Sequence, residues 1–177
     1  MSKLDQDLLS LQQTRDFLGK AHEAQKKLAE FDQGQIDRIV EAMAEAAYKA
    51  AEALAELAVS ETGIGIVKDK VEKNRFASRV VWESIKAMPT VGIIHEDSRL
   101  GIVEIAEPMG VVAGIIPTTN PTSTIIFKTL IALKARCGIV MSPHPRAIRC
   151  SLETTRVMAE AALAAGAPEG IIHCIEL

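Results

Sequence analysis

The stretch Ile115-Ile116-Pro117-Thr118-Thr119-Asn120-Pro121-Thr122-Ser123 joins the end of an apolar run to the start of a helical pattern. Pro121 suits the first position of a helix, where its missing N–H would be unpaired anyway, so Asn120 is the expected N-cap. A capping Asn accepts a backbone N–H through its side-chain oxygen and leaves its amide NH2 directed outward as a fixed donor. Beside the positive end of a helix, such a donor suits the oxyanion of a tetrahedral intermediate, an effect worth about 2.7–4 kcal/mol in sites of this kind. Asn-Pro-Thr is equally what an ordinary helix start contains, so local chemistry alone supports both readings.

The other reactive residue types are more dispersed. Cys137, Cys150 and Cys174 are an odd number with no CxxC spacing, which argues against a disulfide framework or a zinc site and for a reduced, intracellular protein. Each lies in an apolar context without an activating partner at short range, so each reads as a small buried hydrophobe. Of the histidines, His22 falls on a charged helix, His95 in a hairpin and His173 on the last strand. His144, between Pro143 and Pro145, is the one placed at a strand end where a ligand could lie. Gly63-Ile64-Gly65-Ile66-Val67-Lys68 is not a dinucleotide fingerprint, because it follows a helix and lacks the third glycine. Asn120-Pro121-Thr122 is excluded as a glycosylation site by its central proline.

The elements that must position these residues follow from patterning. The 177 residues are 48% hydrophobic yet include one Trp, one Tyr and four Phe, so the core must be aliphatic, as when helices stack on a Val/Ile sheet. Twenty basic and twenty-three acidic residues are scattered along the chain, for a net charge of −3; no basic stripe suggests nucleic acid. No apolar span reaches transmembrane length, and the charged start does not read as a signal peptide. The cytoplasm is the expected location.

Helical spacing predicts one or two helices over residues 3–31, with Gly19 a weak point. Asp32 stands three residues ahead of Gln35, as in a capping box, and a single long Ala-rich helix is expected from there until Gly63 and Gly65 stop it. A third helical pattern runs over 67–86. Two β-branched runs around Asp97 and Ser98 predict a hairpin. From residue 109 the pattern becomes strand, helix, strand, helix, strand, with continuous apolar strands, which predicts an α/β fold with a parallel sheet of doubly wound, Rossmann-like type. The expected organisation is a helical segment over 1–88, a hairpin over 89–108 and an incomplete α/β nucleotide domain over 109–177. In such sheets ligands bind beyond the carboxyl ends of the strands, where the Asn120 turn falls.

The run IAEPMGVVAGIIPTTNPTSTIIFKTLIALKARCGIVMSPHPRA resembles the CoA-acylating aldehyde dehydrogenases, above all the aldehyde dehydrogenase half of bifunctional aldehyde-alcohol dehydrogenases. ETGIGIVKDKVEKNRFAS upstream and AALAAGAPEGII downstream extend the similarity in the same order, from about residue 20 onward. The resemblance implies an oxidoreductase that converts a short aldehyde and coenzyme A to acyl-CoA with NAD, through a cysteine thioester. It implies that Asn120 stabilises the oxyanion and that Ile115, Ile116, Pro117, Thr118 and Thr119 lie against the nicotinamide cofactor. Hydrolytic members usually carry Pro-Trp-Asn where this chain has Thr118-Thr119-Asn120, and a ribose-binding Lys where it has Ser142. Ser142, Pro143, His144 and Pro145 are therefore placed at the adenosine end by analogy.

The family's nucleophilic cysteine, its Gly-rich cofactor loop and its acyl-pocket residues are expected downstream of the last matched segment. The resemblance also implies a homo-oligomer, with the hairpin in the subunit-association region. Two other readings stay open on sequence grounds: an incomplete nucleotide-binding module, and an association module pairing through the hairpin, the long helices or the sheet edge.

Overall fold

The computed structural model describes residues 5–176, so the expected helix start at residues 3 and 4 lies outside the described residues. α1 (Gln6–Ala29) is one unbroken helix that runs straight through Gly19. α2 (Gln33–Lys49) opens with the expected capping box: Asp32 Oδ1 accepts from Gln35 N at 2.7 Å, and Gln35 Oε1 accepts from Asp32 N at 2.9 Å.

The Ala-rich stretch is not the single helix its composition suggested. It breaks at Ala50 into α2 and α3 (Ala51–Thr62). Next to the break, the buried Asn74 amide donates to the Ala51 carbonyl at 3.0 Å, a bond supplied from another helix. α3 then ends as expected on left-handed Gly63, φ 68°.

α4 (Val67–Arg75) continues through a π-helical turn (Phe76–Val80) into α5 (Val81–Ile85). The Ser78 hydroxyl donates to the Asn74 carbonyl at 2.8 Å inside that turn. π turns of this kind recur at functional sites.

β1 (Gly92–Asp97) and β2 (Ile102–Ala106) form the antiparallel hairpin, with an irregularity between Ile93 and His95. Arg136 ties its end to the rest by donating to the Ala106 carbonyl at 2.6 Å, while Ile93, Ile102, Val103 and Ile105 are exposed on it.

β3 (Val111–Ile116), α6 (Pro121–Lys134), β4 (Gly138–Pro143), α7 (Ile148–Ala164) and β5 (Ile172–Cys174) follow in the predicted alternation, and the three strands pair in parallel in the order β3-β4-β5. Continuous apolar strands need cover on both faces; the core supplies it for β4, whereas Val112, Ala113 and Ile115 of the edge strand β3 are exposed. Leu28 of α1, Ile36 and Met43 of α2, Leu130 of α6, Met158 of α7 and Ile139 and Met141 of β4 share one buried cluster. Gly138 allows the close approach of α1 to β4, because a Cβ there would sit 3.2 Å from the Ala21 carbonyl oxygen. The N-terminal helices thus pack onto the parallel-sheet layers through a common aliphatic core. No helix among the described residues is long and apolar enough to cross a membrane.

Candidate active site at the carboxyl ends of the strands

The parallel register aligns Ile115 with Ser142 and Ile116 with Pro143. The two residue groups singled out from the sequence, 115–120 and 142–145, therefore leave the sheet side by side, at the carboxyl ends of adjacent strands. Ile116 is buried, Thr118, Ser142 and Pro143 are half-buried, and Pro117, Thr119, His144 and Pro145 are exposed. Ile115 is 70% exposed at the edge of the sheet. The Ile116 carbonyl accepts from His144 N at 3.0 Å, which ties the two turns together. Lys128, one helix later, donates to the Ile115 carbonyl at 2.7 Å.

Asn120 occupies the N-cap position of α6 with Pro121 at N1, but its side chain makes no capping bond. The expected local cap is replaced by a tertiary contact: Asn120 Oδ1 accepts from Lys73 Nζ at 3.0 Å. An ammonium has only protons to offer, so this contact identifies the oxygen of the amide and leaves Nδ2 without a hydrogen-bond partner among the described residues. The expected local cap is thus absent, and the side chain is tied to α4 instead of to its own helix.

Three residues on one face of α4, which sequence patterning treated as ordinary mixed charge, converge on this turn. Lys70 is 4% exposed and donates to the Thr119 carbonyl at 2.8 Å. Burial, and then the nearby Lys73, push its ammonium below the usual lysine range. Gly65, φ 79°, gives the lysine stem room, since a Cβ there would lie 3.3 Å from Lys70 Cε. The Gly63-Ile64-Gly65 turn, rejected as a nucleotide fingerprint, thus serves this packing. Asn74 is fully buried, and its Oδ1 accepts from the Thr122 hydroxyl at 2.8 Å. Lys70, Lys73 and Asn74 stand at i, i+3 and i+4, the spacing of one helical face. That spacing was visible in the sequence; the turn it faces was not.

An open cavity of about 990 Å³ reaches the Asn120 turn. Phe76, Val80 and Val81 wall it on the π-helical side, Ser123, Thr124 and Phe127 on α6, and Lys73 and Asn120 at the turn. Arg79 lies 3.6 Å above the Tyr48 ring on the same wall.

At the second turn, His144 Nδ1 accepts from Arg146 N at 3.1 Å, so the imidazole caps the short 3-10 turn Pro145–Ala147. The N-terminus of α7 is filled by Glu61, whose carboxylate accepts from Arg149 N at 2.8 Å and Cys150 N at 2.7 Å. Sequence reading missed this contact, because Glu61 sits in an ordinary helix-ending stretch far upstream. The usual phosphate position at a helix N-terminus is therefore already taken on α7.

All three cysteines are buried. Burial and the Glu61 carboxylate push the Cys150 thiol up to about 12, and burial pushes Cys174 up to about 11. Such thiols are poor nucleophiles. No cluster of metal-ligating side chains occurs among the described residues.

The chain is similar to the bifunctional aldehyde-alcohol dehydrogenase of Escherichia coli K12, at 48% identity over 157 residues, covering 89% of this chain and 18% of that protein. A crystal structure of an acetylating aldehyde dehydrogenase from Geobacillus thermoglucosidasius superposes with a TM-score of 0.96 at 56% identity, covering 97% of this chain and 38% of that one. A propionaldehyde dehydrogenase from Rhodopseudomonas palustris, solved with bound CoA and an acylated cysteine, superposes at TM-score 0.77 and 30% identity, covering 92% of this chain and 37% of that one. The chain thus spans well under half the length of each of these relatives. A sequence profile of the aldehyde dehydrogenase family matches residues 7–176, nearly the whole chain, and the chain belongs to that family.

Proposed function

We propose that these residues form part of an NAD-dependent, CoA-acylating aldehyde dehydrogenase acting on acetaldehyde or another short aldehyde. One observation carries the reading. Asn120 sits at the carboxyl end of β3, its oxygen held by Lys73 and its Nδ2 free, at the edge of a cavity large enough for a small substrate. Relatives of this chain act as acetylating enzymes, and one was solved with CoA and an acylated cysteine.

The chemistry needed from Asn120 is electrostatic. When a cysteine thiolate adds to the aldehyde carbon, the carbonyl π pair moves onto oxygen, and Nδ2 donates to that oxygen as its charge develops. The same donor serves again when a thiol adds to the resulting thioester. We place the nucleophilic cysteine outside the described residues, because Cys137, Cys150 and Cys174 are all buried. When bound, NAD supplies the hydride acceptor and CoA the thiol that removes the acyl group.

The residues present fit one part of the dinucleotide. Ile115 to Asn120 and Ser142 to Pro145 lie at neighbouring strand ends, as a nicotinamide and a ribose require. The half-buried Ser142 hydroxyl and the exposed His144 ring are suited to ribose hydroxyl groups. The pyrophosphate has no such place on α7, whose N-terminus Glu61 fills. We assign association into a homo-oligomer to the hairpin, on the strength of exposed Ile93, Ile102, Val103 and Ile105.

The test is NADH formation at 340 nm with acetaldehyde, CoA and NAD. Activity should require CoA and fall about 100-fold or more in Asn120→Ala. Full activity in that variant would overturn the proposal.

A further inference from the structure

The contacts between α4 and the Asn120 turn go beyond what packing needs. A buried ammonium is costly unless its protons are satisfied, yet Lys70, 4% exposed, spends its charge on a single backbone carbonyl, that of Thr119, at 2.8 Å. Thr119 immediately precedes Asn120, so this bond fixes the peptide from which the Asn120 side chain springs. Three residues further along the same helical face, Lys73 fixes the side chain itself through Oδ1 at 3.0 Å. Backbone and amide of one residue are thus held by two lysines of one helix, and Asn74 locks that helix to Thr122 on the other side of the turn at 2.8 Å.

We propose that Lys70 and Lys73 are positioning residues that aim the Asn120 amide, with oxygen inward and Nδ2 toward the substrate oxygen. The alternative orientation, with Nδ2 facing Lys73, would set two donors against each other, so the ammonium selects between the two flips of the amide. Both lysines also leave positive charge behind the donor, on the side where it strengthens Nδ2 as a hydrogen-bond donor to an anion. The inference rests on the role proposed above for Asn120.

The experiment uses the intact enzyme carrying Lys73→Met, Lys73→Arg, Lys70→Met or Asn120→Ala. It measures kcat and KM for acetaldehyde alongside the Kd for NADH by fluorescence. Lys73 is an exposed side chain, so its Met variant tests the idea even where Lys70→Met fails to fold. The expected result is a loss in kcat on the order of 10- to 100-fold for Lys73→Met, since small misplacements of a reacting group cost that much. NADH affinity should stay within about 2-fold, and Lys73→Arg, which keeps a cationic donor, should recover most of the loss. A merely structural lysine would not show this split between kcat and nucleotide binding. Wild-type kcat in Lys73→Met, with Asn120→Ala inactive, would overturn the positioning role alone. Wild-type kcat in Asn120→Ala would overturn the proposed function, and this inference with it.

Discussion

Replacing Asn74 by Ala removes the centre of the contact between α3, α4 and the Asn120 turn. The side chain is fully buried and makes two hydrogen bonds, donating to Ala51 and accepting from Thr122. Each neutral bond contributes about 0.5–1.5 kcal/mol net, and a buried hydroxyl left without a partner costs about 1–3 kcal/mol. Part of that cost is recovered as Thr122 turns its hydroxyl and the small void collapses, so the expected loss is about 2–4 kcal/mol. Urea unfolding reads this as a lower midpoint with an unchanged slope.

The decisive comparison is a double-mutant cycle with Thr122→Val. If the two side chains are bonded, the double variant loses less than the sum of the single variants, by about 0.5–2 kcal/mol. Additivity within about 0.3 kcal/mol would mean that Asn74 and Thr122 do not share the bond and that the turn is held by the lysines alone.

Two more expectations concern charge. The half-buried His173 stacks on Phe17 with ring centroids 4.4 Å apart, and its Nε2 has no partner. Burial, and then Lys20, hold it below the ordinary value of 6.5. The unfolded chain therefore binds the proton first as pH falls below 6.5, and stability is lost from there down through the lowered folded value. His173→Phe keeps a ring to stack, so the drop in melting temperature between pH 7.5 and pH 5 should be smaller in this variant; an equal drop would exonerate His173. The Lys70 ammonium is likewise disfavoured in the folded state, so native stability should rise as pH climbs through the window below 10.5. Lys70→Met should flatten that rise and leave the melting temperature at neutral pH unchanged or higher while kcat falls, because the apolar stem still fills its slot. A lower melting temperature would make Lys70 a structural residue.

Much of the fold was legible because its signals are local. The apolar runs at 111–116 and 138–143, each followed by a helical pattern, required a parallel sheet, and that sheet formed. Asp32 and Gln35 stand three residues apart, and that spacing alone specifies the capping box. Asn120 was legible as a candidate for the same kind of reason, but its partner was not. A capping rule sees only the following turn, whereas Lys73 lies 47 residues upstream. The break in the Ala-rich helix escaped notice likewise, since composition favours helix throughout. Lys70 lies in a helical pattern of mixed charge, and its burial shows only in tertiary contacts, with the Thr119 carbonyl and the Gly65 turn.

The substitution of a tertiary bond for a local cap has a physical consequence. A capping amide would take its orientation from its own helix and would keep it as long as α6 kept its first turn. Here the orientation comes from α4, so the direction of Nδ2 is set by how α4 docks on α3 as much as by α6. That docking depends on a small apolar cluster of Ala51, Ala55 and Val71, with Val67 packed against it. Small side chains there bring the helices close, and a larger one would move α4 as a rigid piece, carrying Lys70 and Lys73 with it. The orientation of the Asn120 amide is therefore coupled to packing remote from it, and the face most sensitive to change lies behind the turn.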